Sequence, residues 1–141
     1  MGLPVLLKDV VEALEITDDF ISHHLNRVSG EIVMVMQDEY DYTGVEGPTL
    51  EDVSSEEFVA LPSKHDIHEW SIMERFAISQ SNRNLREDLL DGIRGRGAFR
   101  HFKSIVARRG IREEWFAFRC DELREIAIEF LEENAIPYTR D

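Results

Sequence analysis

A second cysteine is missing from this 141-residue chain, so Cys120 forms no internal disulfide and joins no zinc knuckle. No apolar run approaches the ~20 residues that span a bilayer, which argues against a membrane role. Met1 to Leu7 is apolar but short, and Lys8 and Asp9 follow at once. A basic start, a longer apolar stretch and a small-residue cleavage site are all absent, so the segment does not read as a secretory signal. A cytoplasmic location is the default expectation. P-loop, dinucleotide-binding and nucleophile-elbow motifs are missing too, as is any pair of histidines four apart with a glutamate between them. On these absences the sequence leans away from an enzyme, and neither a cofactor nor a metal is expected.

What is present is charge, distributed unevenly. Hydrophobic residues at 43% and charged residues at 32% place the chain among folded globular proteins, and its length suits one domain. The net charge of −13 conceals three zones. Residues 1–93 carry 6 Lys+Arg and 20 Asp+Glu, and residues 113–141 carry 3 and 9. Between them, Arg94, Arg96, Arg100, Lys103, Arg108, Arg109 and Arg112 stand without a single acid. So acidic a molecule repels nucleic acid in bulk, and anion binding has to be local.

Periodicity predicts an α+β fold: an N-terminal helix and a small antiparallel sheet of about three strands, packed on a helical C-terminal half. Val5 to Leu14 reads as the helix. Residues 20–26 and 31–36 flank Arg27-Val28-Ser29-Gly30 as a β-hairpin, and Phe58 to Leu61 is a third strand stopped by Pro62. Residues 37–57 read as an acidic loop with one helical turn after Thr49. Ser63 and Asp66 resemble a capping box that opens a helix through Trp70 and Ala77. Asn84 and Glu87 signal a second cap, and Gly95 suits the left-handed residue after that helix. A third helix is expected from about Gly97 to Arg109. Ile111 to Arg119 is ambiguous but favours a helical turn. A last helix carries Leu123, Ile126, Ala127, Phe130 and Leu131 as one stripe. One domain over 1–141 is expected, with a strand-bearing part over 1–62 and a helical part over 63–141.

On a helical wheel Phe99, Phe102 and Val106 share one face. Arg96, Arg100 and Lys103 recur at i, i+4, i+7 nearly opposite. A buried aromatic stripe with cations turned outward is therefore expected, with no ring left on the cationic side. Two glycines leave the first backbone amides of this helix uncovered. Arg94, Gly95, Arg96, Gly97, Arg100 and Lys103 are the candidate anion-binding residues. The same string carries a resemblance. Ile93 to Lys103, with Leu25-Asn26 before Gly30-Glu31-Ile32-Val33, Leu61-Pro62, Glu114-Trp115, Phe118-Arg119 and Leu123 to Ala127, is similar to a bacterial uncharacterised protein family numbered 0158. The resemblance extends from about residue 6 to residue 135. It implies no activity, cofactor or catalytic residue.

Other constellations are weaker. His65, His68 and Glu69 share helical spacing, but zinc generally takes three or four ligands in set geometry, and exposed histidines are the simpler reading. His23 and His24, adjacent on a strand, face opposite sides. Cys120 follows Arg119 but precedes Asp121 and Glu122, and is read as buried or inert. Three functions follow. A regulatory or interaction module ranks first, presenting the acidic 37–57 surface with Tyr40 and Tyr42 to a basic protein partner. Binding of phosphate or nucleic acid by the basic segment comes second, with the bland alternative that its cations merely pair with the abundant acids. An enzyme using Glu69, His65 or His68 comes third. The oligomeric state is left open.

Overall fold

Residues 4–36 and 47–140 are described by a computed structural model. The chain is α+β, with a three-stranded antiparallel sheet and a helical C-terminal half. Two compact units can be distinguished, Met1–Ile67 with Leu123–Asp141, and His68–Glu122.

In the first unit the N-terminal apolar run divides. Val5–Leu6 is a short strand, β1, pairing in parallel with β5, Tyr138–Thr139. Helix α1, Leu7–Glu15, therefore starts two residues later than periodicity predicts, burying Leu7, Val10, Val11, Ala13 and Leu14. Val5 is lost to the helix because it finds a strand partner at the far end of the chain, a pairing no local pattern reveals. The hairpin is as expected. β2, Ile21–Asn26, pairs with β3, Ile32–Met36, and on its other edge with β4, Phe58–Ala60. Asn26 closes the hairpin turn: its Oδ1 accepts from the Val28 and Ser29 amides at 2.8 and 3.0 Å.

Strand alternation buries His23 and Leu25 on the central strand. Thr17 Oγ1 donates its one hydrogen to Ala13 O at 2.8 Å, so it can only accept from His23 Nδ1, 3.2 Å away. That geometry assigns His23 the neutral Nδ1–H tautomer. Burial, and then the neighbouring His24, hold its imidazole below the ordinary 6.5.

The capping box is present: the Ser63 amide donates to Asp66 Oδ2 at 2.9 Å, and the Asp66 amide to Ser63 Oγ at 3.2 Å. It opens only a four-residue helix, α2, Lys64–Ile67. His68 then turns left-handed (φ 56°), and α3, Glu69–Ser79, begins afresh. The uninterrupted helix from Ser63 is thus corrected to two, since no glycine or proline marks the break.

In the second unit α3 is followed by α4, Arg83–Gly92, α5, Ala98–Arg108, and the first part of α6, Arg112–Glu133. Asn82, not Asn84, caps α4, its Oδ1 accepting from the Leu85 amide at 3.2 Å. The ambiguous stretch before Arg119 is the opening of α6. Phe76, Phe102, Trp115 and Phe118 make an edge-to-face ring cluster, with centroids 4.6 to 6.0 Å apart. A Cβ on Gly92 would fall 2.6 Å from Ile105 Cδ1, so α4 and α5 approach closely where α4 ends.

At its C-terminus α6 ends in a Schellman motif. The Ile136 amide donates to Leu131 O at 2.9 Å and the Ala135 amide to Glu132 O at 3.1 Å. Ala135 occupies the left-handed position at φ 54°, where glycine is usual. Ala135→Gly is expected to raise the unfolding free energy by up to about 1 kcal/mol, because the left-handed penalty outweighs glycine's extra chain entropy. Urea unfolding will check it, and a loss of stability would contradict it. A second expectation concerns His23. Its folded pKa is depressed, so the unfolded chain binds more protons below pH 6.5. Stability is complete above 6.5 and declines as pH falls from there toward the depressed value. His23→Gln should flatten part of that decline in urea midpoints taken from about pH 7 to 5; an identical slope in the variant would assign it elsewhere.

Candidate functional site

The basic segment begins where α4 ends. Ile93 caps α4, and the turn that follows places Gly95 and Gly97 both at φ 75°, a conformation that a Cβ disfavours. Trp70 Nε1–H donates to Ile93 O at 2.9 Å and anchors the start of this turn. Gly97 is the N-cap of α5 and has no side chain to offer the first amides of the helix. The ring of His101, exposed, lies over it, with Cε1 3.6 Å from where a Gly97 Cβ would sit.

Each cation can now be placed. Arg94 Nη1 lies 3.3 Å from Asp91 Oδ1, with both side chains largely in water, so the pair binds the turn only weakly. Arg109 Nη2 bonds Asp88 Oδ2 and ties the end of α5 back to α4. These two fit the reading of the cations as structural counterions. Arg96, Arg100, Lys103, Arg108 and Arg112 are exposed, and none of them pairs with a carboxylate of any described residue.

Two expectations need correcting. Arg96 is not on the helix; it stands in the turn before Gly97, so the i, i+4, i+7 stack reduces to Arg100 and Lys103 on α5 with Arg96 leading in. Phe99 is not buried: it is 41% exposed, whereas Phe102, Ile105 and Val106 form the core line. Phe99 sits in the first turn of α5 at the edge of that line, about 60° around the axis from Phe102 and about 40° from Lys103. The solvent face of α5 thus runs through Phe99, Lys103, Ala107, Arg100, Ser104, Arg108 and His101, every one exposed and none acidic. The wheel angles of Phe99, His101 and Arg108 carried this information. Treating Phe99 as part of the core stripe hid it.

The charge division follows the units. His68–Glu122 contains 11 Lys+Arg and 9 Asp+Glu, a net +2, while the remainder contains 5 and 20, a net −15.

The other candidates are occupied or unassembled. Glu69 Oε1 accepts from Arg119 Nε at 2.6 Å in a mostly buried ion pair, and His68 Nδ1 shares a hydrogen bond with Ser71 Oγ. His65 is exposed, and among the described residues no group of three His, Cys, Asp or Glu side chains could hold a metal ion. Cys120 is exposed rather than buried. Of the acidic 37–57 stretch, residues 37–46 with Tyr40 and Tyr42 lie outside the described residues; Glu51, Asp52, Glu56 and Glu57 are exposed. A shallow depression of about 440 Å³, lined by Val33, Gly47, Pro48, Val53 and Phe58, holds one carboxylate, Asp52, and no basic group beside it. Among the described residues no helix is long and apolar enough to cross a membrane.

Replacing Gly95 or Gly97 by alanine is expected to cost about 1 kcal/mol each, because both φ angles lie in the left-handed region. Thermal unfolding of the two variants tests this, and asparagine at either position should cost less than alanine. No curated protein and no solved structure matches the chain. Its sequence does match, over residues 3–140, the pattern of the uncharacterised protein family UPF0158, and the chain belongs to that family.

Proposed function

We propose that the protein binds nucleic-acid phosphates through the outward face of α5 and the turn before it. The observation that carries this reading is the acid-free array of Arg96, Arg100, Lys103, Arg108 and Arg112, exposed and unpaired among the described residues of a strongly acidic chain. Charges left without partners favour an external anion, because most other arginines of the His68–Glu122 unit are neutralised internally. Their layout favours a linear polyanion over a single small one. Arg100 and Arg108 are separated by about 12 Å along the axis, too far to converge on one phosphate but suited to successive ones. The uncapped amides behind Gly97 add donors where the chain of charges begins.

Fluorescence anisotropy with labelled oligonucleotides at 50–200 mM salt tests the reading. Binding should weaken steeply with salt. Arg100→Ala with Lys103→Ala should weaken it for every sequence alike, and reduce the slope of log K against log salt by about 1 per lost contact. The thermal midpoint should hold, since neither side chain has a partner to lose among the described residues. Absence of binding at the lowest salt, or binding indifferent to the double variant, would overturn the proposal.

A further inference from the structure

We infer that the strand bound on α5 is single-stranded, with an unpaired base stacked on Phe99; this deepens the phosphate-binding reading and rests on it. Phe99 is a large apolar ring, 41% exposed, on a helix that otherwise buries its large apolar side chains almost completely: Phe102 at 0%, Val106 at 2% and Ile105 at 8%. An isolated exposed phenylalanine is ordinary on a protein surface. Its setting here is not. Lys103 lies one turn on and Arg100 is the next residue, so the ring borders the cations that would hold the sugar–phosphate chain. His101 places a second exposed ring on the other side of Arg100, over Gly97. Two of the outward positions between Arg100 and Arg108, Ser104 and Ala107, are small enough to let a backbone pass close to the helix.

A duplex can place its phosphates on these cations, but it gives the Phe99 ring nothing to stack on. Its base faces are covered by their neighbours, so a half-exposed ring gains nothing from them unless a step is forced open. The outward face also has no Asn or Gln to read adenine in a groove. Unpaired bases present bare π faces, and stacking on an aromatic platform beside a cationic track is how strands are held without regard to sequence.

The test compares labelled dT and rU oligomers of about 12 nucleotides with a duplex of the same length, at one salt concentration, on the full-length protein. The single strands are expected to bind at least tenfold more tightly. Phe99→Leu, which keeps the buried part of the side chain apolar, should weaken single-strand binding about fivefold or more without changing the salt slope, because no phosphate contact is lost. Phe99→Trp should bind as tightly as the native chain or tighter. Equal affinity for duplex and strand with Phe99→Leu unaffected, while Arg100→Ala with Lys103→Ala still weakens both, would overturn the stacking inference and leave the phosphate site standing. No salt-sensitive binding to either form would remove both.

Discussion

Phe102 decides which side of α5 meets water. Its ring is fully buried and packs edge-to-face against Phe76 and Trp115, with centroids 6.0 and 4.6 Å away. Rotating α5 to bury its cations would pull this ring out of the cluster and carry unpaired guanidinium groups into an apolar interior, both strongly unfavourable. The exposure of Arg100, Lys103 and Arg108 is therefore a consequence of aromatic packing on the opposite face. Gly92 and the Arg109–Asp88 pair act in the same direction, one letting α4 and α5 close up and the other fixing the far end of α5.

Electrostatics then sorts the remaining cations. Arg75, Arg83 and Arg119 of the His68–Glu122 unit are matched to Glu122, Glu87 and Glu69. Arg119–Glu69, with side chains 22% and 18% exposed, is the most shielded of these and the least screened by salt. Along α5 the pattern stops. Position 100, 103 or 104 could each carry a carboxylate at helical spacing from a cation, and none does.

Much of this was legible in the chain. Alternation and turn residues gave the hairpin around Arg27 to Gly30 and a third strand over Phe58 to Leu61, because these signals are local; that this strand pairs with β2 was not legible. Gly95 was legible as the left-handed residue after α4, whereas Gly97, read as the start of the next helix, is left-handed too. The β1–β5 pairing was not legible, since Val5 and Tyr138 meet across nearly the whole sequence. Nor was the unity of α6: its buried side moves from Trp115 to Leu131 through about 160° around the axis, so no single stripe runs its length. At the candidate site the charge asymmetry was plain from composition. Phe99 was misplaced because a residue on the border of an apolar face, in the first turn of a helix, has the phase of the core without neighbours above to cover it.

On the proposed reading, the length of α5 sets how much of a strand could be held. Eleven residues of α5 extend about 16 Å, and Arg96 before it and Arg112 after it lengthen the row of cations slightly at each end. Lengthening the ligand therefore stops adding affinity once the track is filled. A molecule that bound in this way would grip a short exposed stretch and let go of the remainder, the behaviour of a clip more than of a coating.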